Sequence, residues 1–214
     1  VRSSAASDVY KRQETAHQLG TPISSLMAWT ELLKSAYPSD NLIPCMTEDV
    51  ARLQMIANRF SKIGSAPEME QVDLGKLLKE VTEYMARRTS NKVAIITHLP
   101  ENAIIIPLNA SLFGWVIENL CKNAIDAMDG VGKITVSVIE SATRWYIDVE
   151  DTGKGIIKSK HQTIFTPGYT TKKRGWGLGL SLARRIVEEY HSGRIFVKQS
   201  ELNKGTVFRI ELKK

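Results

Sequence analysis

At 214 residues, 43% apolar and 24% charged, the chain suits one or two domains with a sizeable core in at least one. No apolar run approaches the roughly 20 residues that cross a bilayer, and the first residues lack the hydrophobic centre of a signal peptide. The net charge of +6 includes +2 from Arg2, Asp8, Lys11 and Arg12, leaving +4, and no basic stripe interleaved with aromatic residues points to nucleic acid. Cys45 and Cys121 stand far apart without metal-ligand spacing, and each fits an apolar helical position, which predicts core residues in a reducing compartment.

Residues Ser3 to Gln13, SSAASDVYKRQ, read as an in-frame translation of a transposon-type sequencing-library adaptor, so residues 1–13 are set aside as non-native. The native frame is then expected to be truncated upstream of Glu14, and any sensor or membrane segment of the parent protein to be missing. From Glu14 to about Ala36, Leu19, Ile23, Leu26, Thr30 and Leu33 recur at steps of four and three, the seam of a helix packing on helices. Pro22 removes one hydrogen bond and bends that helix. His17, Thr21, Ser24, Ala28 and Glu31 fall on its opposite, exposed face. The turn cluster Tyr37 to Asn41 leads into a second helix, from about Pro44 to Ile63, with Val50, Leu53, Ile56 or Ala57, Phe60 and Ile63 on a similar seam. A lone hairpin over residues 14–64 cannot bury both seams. The expected solution is a four-helix bundle made by two chains, a homodimer. Residues 65–71, which include Ser65, Ala66 and Pro67, read as a linker.

The remainder, residues 72–214, predicts a helix Leu74 to Arg88, strands Val93 to His98 and Ala103 to Ile106, and a long helix Ala110 to Met128. Strands Lys133 to Ile139 and Arg144 to Glu150 follow, then a glycine-rich segment, a helix Leu178 to Tyr190, and a closing hairpin of Arg194 to Gln199 with Thr206 to Leu212. Helices layered on one mixed sheet make an α+β sandwich.

Two glycine-punctuated turns, Asp151-Thr152-Gly153-Lys154-Gly155 and Gly175-Trp176-Gly177-Leu178-Gly179-Leu180, flank a loop of Thr, Lys and Gly. Such glycines leave bare N–H groups able to approach a ligand. The helix that follows presents its first-turn N–H groups to the loop, and Lys172, Lys173 and Arg174 add cations, so an anion such as a polyphosphate is favoured there. On the long helix Asn119 and Asn123, at i and i+4, share a face. Amides in place of carboxylates suit metal or phosphate contacts without added negative charge.

Taken in order, these segments resemble a sensor histidine kinase of two-component signalling over essentially all of Glu14 to Lys214. Ala16-His17-Gln18-Leu19-Gly20-Thr21-Pro22 is similar to the phosphoacceptor box, Asn119 to Asn123 to the N box, and Asp151 to Gly155 to the first glycine box. Phe165 is similar to the F box, Gly175 to Gly179 to the second glycine box, and Gly205-Thr206 to the last. The resemblance implies a Bergerat, GHKL-type ATP-binding fold for residues 72–214. It also implies Mg-ATP as ligand, phosphorylation of a histidine, transfer to an aspartate of a response regulator receiver domain, and dephosphorylation of that receiver. It implies His17 as phosphoacceptor with Gln18 and Thr21 beside it, Asn123 as the Mg²⁺ ligand with Asn119 beside it, and Asp151 as partner of the adenine amino group. Lys172 and the second glycine box, Gly175, Gly177, Leu178, Gly179 and Leu180, would hold the phosphates. Lys122, Gly153, Gly155, Ile156, Phe165, Thr170, Thr171 and Thr206 would complete the nucleotide site, with residues 154–176 as its lid. The chain would then be the cytoplasmic portion of a bacterial inner-membrane-associated parent, reaching a membrane only through missing upstream segments.

Two positions depart from the family pattern. The residue after the histidine, usually acidic, is Gln18, which positions a ring and accepts no proton at neutral pH. Trp176 fills a position that is often small. Three other functions compete. Hydrolytic ATPases of the same superfamily, like gyrase, the large heat-shock chaperones and mismatch-repair proteins, place a glutamate four residues before the metal-binding asparagine. Here that position is Asn119, and Glu118 lies one residue off, about 100° around the helix. A serine kinase of the anti-sigma type would not need the His17 hairpin. A nucleotide-binding dimeric scaffold with little kinase activity is supported by Gln18.

Overall fold

The computed structural model describes residues 22, 24–38, 40, 42–44, 46–47, 50, 67–172 and 177–214. Expectations for residues 1–13, for His17, Gln18, Thr21, Gly175 and Trp176, for Cys45, and for residues 51–64 lie outside the described residues. The chain divides into two compact units, Val1–Pro67 and Glu68–Lys214.

In the first unit residues 24–36 are helical, with Ser24, Ala28 and Glu31 exposed. Thr30, on the predicted seam, is buried and donates its hydroxyl to the Met27 carbonyl at 2.8 Å, whereas Leu26 stays 44% exposed. Helix resumes at Leu42, two residues before the predicted start, because the Asp40 carboxylate accepts from the Leu42 N–H at 2.8 Å. Pro44 is tolerated inside that first turn, where its missing N–H has no helical partner to lose.

The second unit runs β1 (Glu70–Asp73), α1 (Leu74–Arg88), β2 (Val93–His98), β3 (Ile105–Leu108), α2 (Ala110–Ala127), β4 (Gly132–Glu140) and β5 (Arg144–Asp151). After two single 3-10 turns come α3 (Gly179–Arg185), a π turn (Ile186–Tyr190), β6 (Arg194–Glu201) and β7 (Gly205–Lys213). A five-stranded sheet has the order β2-β4-β5-β7-β6. Only β2 and β4 are parallel within it, while β1 and β3 form a separate antiparallel ribbon.

Alternate residues of the large sheet turn inward, Ile134 and Val136 from β4, Ile147 and Val149 from β5, Phe208 and Ile210 from β7. They share one core with Leu74 and Leu78 of α1, with Phe113, Ile117 and Leu120 of α2, and with Ala183 of α3. Each such side chain contributes about 1.5–3 kcal/mol relative to exposure. Both long helices start on a side-chain cap. Asp73 accepts from the Gly75 and Lys76 N–H groups at 3.0 and 3.3 Å, and Asn109 from the Leu112 N–H at 3.0 Å.

The mixed-sheet sandwich matches expectation, with three local corrections. Glu70 and Gln71, read as linker, are half of β1, a strand too short and too exposed to show alternation. β3 lies two residues later than predicted and contains Pro107; it pairs with β1 alone, and a strand with one partner tolerates a residue that cannot donate. The last predicted helix leaves α-geometry after Arg185 and widens into the π turn.

Candidate functional site

The end of β5 carries the first glycine turn. Asp151 is 4% exposed, opposite Thr206 of β7, and its Oδ1 accepts from the Gly153 N–H at 2.8 Å. Burial pushes its carboxyl above the ordinary carboxylate range, and the backbone N–H groups of Gly153 and Thr206 only partly offset that. The turn is fixed from both sides. Lys154 donates its N–H to the Ala127 carbonyl of α2 at 2.9 Å, and a Cβ on Gly153 would stand 2.6 Å from the same oxygen. On the other side the Ile156 N–H donates to Ser200 Oγ at 2.7 Å, and Ser200 Oγ lies 2.9 Å from Thr206 Oγ1. The Asn203 N–H reaches the Lys154 carbonyl at 2.9 Å, beside Gly155. Gly205, with φ +118°, lies against the Asp151 carbonyl where no side chain fits.

The asparagine face of α2 meets the second glycine segment. A Cβ on Gly179 would fall 2.5 Å from Asn119 Oδ1, so a larger residue there would push the amide out of this position. Asn119 Nδ2 is buried and has no hydrogen-bond partner among the described residues. An unsatisfied buried amide costs about 1–3 kcal/mol, so folding alone disfavours this placement. One turn on, Asn123 Oδ1 accepts from Lys172 Nζ at 3.0 Å, and the same ammonium pairs with Asp126. Lys122 is exposed and engaged by Glu118 at 3.3 Å.

Gly177 accepts through its carbonyl from the Gly168 N–H at 3.0 Å, Leu178 precedes α3, and Leu180 packs on the core. Thr170 Oγ1 accepts from the Lys172 N–H at 3.1 Å, and Thr170 and Thr171 are exposed. Phe165 is buried edge-on against Phe208, with the Arg184 guanidinium 5.7 Å from its ring centre.

The structure thus joins Asp151, Gly153 and Thr206 in one cluster, Asn119 and Gly179 in a second, and Asn123 and Lys172 in a third. Asp126, Ala127 and Ser200, which complete these contacts, were missed by sequence reasoning. Asp126 had a signal, since it follows Asn123 by three residues on the same helix face; the other two act through a backbone carbonyl and a cross-strand hydroxyl that no spacing announces. Cys121 is a core residue, as predicted. Burial, then Glu118, pushes its thiol up to about 12, so it is unreactive. Among the described residues no group of three His, Cys, Asp or Glu side chains is placed to hold a metal, and no helix is long and apolar enough to cross a membrane.

Residues 109–214 match the family of histidine kinase-, DNA gyrase B- and HSP90-like ATPases. Over 205 residues the chain is 31% identical to sensor histidine kinase ZraS of Salmonella typhi, covering 92% of this chain and 44% of that protein. The chain spans less than half the length of the curated relatives it matches. It is similar to the nucleotide-free catalytic domain of histidine kinase ThkA, with TM-score 0.60 and 30% identity over 69% of this chain and 96% of that one. Histidine kinase ThkA in complex with response regulator protein TrrA gives TM-score 0.64 and 25% identity over 94% of this chain and 60% of that chain. Motif order, sandwich fold and these likenesses agree, and the chain belongs to the sensor histidine kinases, with their ATPase-type catalytic domain as its second unit.

Proposed function

We propose that this chain is a kinase core that binds Mg-ATP in its second unit, phosphorylates His17 of its hairpin, and passes the phosphoryl group to an aspartate of a response regulator receiver, which it also dephosphorylates. The observation that carries the reading is Asn119, whose buried Nδ2, without a partner among the described residues, is a donor held against the second glycine segment. A phosphate oxygen satisfies such a donor. The neighbouring Asn123 Oδ1 has a cation for partner, the Lys172 ammonium, and an oxygen suited to a cation suits Mg²⁺. Asn123 would hold Mg²⁺, which supplies charge to offset the phosphates and takes its other ligands from substrate and water.

Asp151 accepts from the exocyclic amine of adenine, whereas the carbonyl of guanine would set lone pairs against it. Lys172 and the glycine segment hold and orient the phosphates, which is most of what phosphoryl transfer asks of a protein. A neutral ring nitrogen of His17 forms the bond to the γ-phosphorus as the bond from that phosphorus to the bridging oxygen of ADP breaks, and the ring proton leaves to solvent. Gln18 orients the ring without accepting that proton. Transfer is favoured over hydrolysis because position 119 is an amide and Glu118 is tied to Lys122. Exposed Leu26, Trp29, Leu32 and Leu42 in the hairpin support a homodimer, since they leave apolar area for a second copy. The ThkA–TrrA complex supports the receiver partner. The chain would be the cytoplasmic portion of a membrane-associated parent.

Incubation with γ-labelled ATP and Mg²⁺ should give protein-bound label that is acid-labile and alkali-stable. His17→Ala should abolish it with nucleotide affinity nearly intact. Label that survives on His17→Ala would move the acceptor and reopen the serine-kinase reading, and nucleotide binding with no label would leave a scaffold.

A further inference from the structure

Ten residues before Asn119, the backbone N–H of Asn109 donates to His191 Nε2 at 3.1 Å, a contact between residues 82 positions apart. Nδ1 of the same ring stands 2.8 Å from the Ile186 carbonyl that opens the π turn, and the His191 backbone N–H donates to that carbonyl at 3.3 Å. With Nε2 accepting, Nδ1 carries the proton, so both nitrogens of a neutral imidazole are used and their roles are assigned. The ring is 8% exposed and meets Phe113 of α2 edge-on, with centroids 5.5 Å apart. Asn109 is itself a junction. Its Oδ1 caps α2, and its Nδ2 donates at 3.0 Å to the carbonyl of Glu68, the first residue of this unit. One imidazole therefore ties the helix that carries Asn119 and Asn123 to the helix that carries Gly179.

We propose that His191 is a positioning residue of the nucleotide site, a neutral clasp that holds α2 and α3 at the spacing where Gly179 meets Asn119, and that protonation of its ring opens the clasp. The proposal rests on the nucleotide-binding reading given above. A protonated ring places an N–H on Nε2 facing the N–H of Asn109, so two donors oppose each other in a buried place and the start of α2 loses its acceptor. Burial keeps the ring's pKa below the ordinary histidine value, with the Ile186 carbonyl acting the other way. The charged groups nearest His191 along the chain are Glu188 and Glu189 of the π turn, which pair with Arg184 and Arg185, and Arg194 at the start of β6, while Glu68 lies ahead of β1 beside Asn109. The first turn of α2 carries no acidic group. Because the folded pKa is lowered, the clasp stays closed through the ordinary histidine value of about 6.5 and opens only as pH falls through the lower folded value, and the stability it contributes is lost over that same fall.

Uniform ¹⁵N labelling of the full chain, with His191→Gln to identify the ring signal, should show a neutral ring protonated on Nδ1. That ring should titrate below free histidine, and the Asn109 amide should shift with the same midpoint. Affinity for a fluorescent ATP analogue with Mg²⁺ is measured in parallel on the unaltered chain and on His191→Gln. The glutamine offers Asn109 an acceptor and Ile186 a donor without titrating, and protonation of the nucleotide is common to both proteins. Between about pH 8 and about one unit below the midpoint at which the His191 ring itself titrates, the unaltered chain should lose about fivefold or more in affinity relative to the variant. Parallel pH profiles in the two proteins, or a ring that titrates like free histidine with the Asn109 amide unmoved, overturn the proposal. Should His191→Gln not fold, substitution of His17, His98 and His161 in turn identifies the His191 signal by elimination, and the titration of the unaltered chain then decides. Failure of either protein to bind nucleotide at any pH would sink the functional reading, while the ring and amide titrations would still decide whether the clasp exists.

Discussion

Asp148 and Asp151 stand three residues apart on β5, at 5% and 4% exposure, and point to opposite faces of the strand. Asp148 receives Arg209 Nε at 2.7 Å, Arg209 Nη2 at 2.8 Å and Lys198 Nζ at 2.9 Å, while Arg209 also lies 4.6 Å from the Tyr146 ring centre. Burial pushes the Asp148 carboxyl up, but hydrogen bonds and charge from those two cations hold it below the ordinary carboxylate range. Asp151 is met by backbone N–H groups, and there burial prevails. A carboxylate supplied with its own cations is complete within the fold. One whose desolvation is left uncompensated has acceptor capacity for a ligand amine, and that difference separates Asp148 from the aspartate proposed to meet adenine.

The largest test of this contrast is Gly205→Ala, which would drive a methyl group into the Asp151 carbonyl at a φ of +118°. Chemical denaturation should show a loss of more than about 4 kcal/mol. Gly168→Ala, at φ +83° in open space, should cost only about 1–2 kcal/mol. Near-native stability of Gly205→Ala would mean that β7 can retreat and that Asp151 is not held backbone against backbone.

Next in size, Asp148→Ala leaves Arg209 and Lys198 without their shared anion and should destabilise the unit by about 3 kcal/mol, with nucleotide affinity unchanged. Asp151→Asn should do the reverse. It should weaken ATP binding about tenfold or more, about 1.5–3 kcal/mol, while folding stability holds or rises, as calorimetric titration and thermal melts would show. Equal binding of ATP and GTP by the unaltered chain would remove Asp151 from the adenine role.

The smallest effect is in acid. The folded pKa of Asp148 is below the ordinary value of 3.8, so its contribution is present above 3.8 and is lost as pH falls through the folded value. The folded pKa of Asp151 is above 3.8, so its penalty is present above the folded value and fades as pH falls toward 3.8. Unfolding free energies of the unaltered chain and of Asp148→Asn should therefore converge at low pH, and those of the unaltered chain and Asp151→Asn should converge earlier, from higher pH. Curves that stay parallel for both variants would erase the distinction between the two sites.

Periodicity along the chain was enough for α1 and β2, whose ends fall at the predicted residues, and for β4, β5 and β7, which are within one residue at each end, because each buries one face and the apolar pattern reports that burial. The glycine turns were legible for a related reason. Gly153 stands where a backbone carbonyl leaves no room for a Cβ, and Gly179 where a Cβ would displace the Asn119 side-chain amide, and a glycine at each position is visible in the sequence directly. What stayed hidden depends on groups distant in the chain. β1 is fixed by its pairing with β3, the π turn closes on an imidazole bound to Asn109, and Lys172 finds Asp126 from 46 residues away. Alternation put Asp148 and Asp151 on opposite faces of one strand, but only the fold brought Lys198 and Arg209 to the first and backbone amides to the second. Hydrophobic burial averages over a whole face and so leaves a period in the sequence, whereas desolvation and hydrogen bonding act on single atoms over a few ångströms and are decided by whichever residue the tertiary structure sets there.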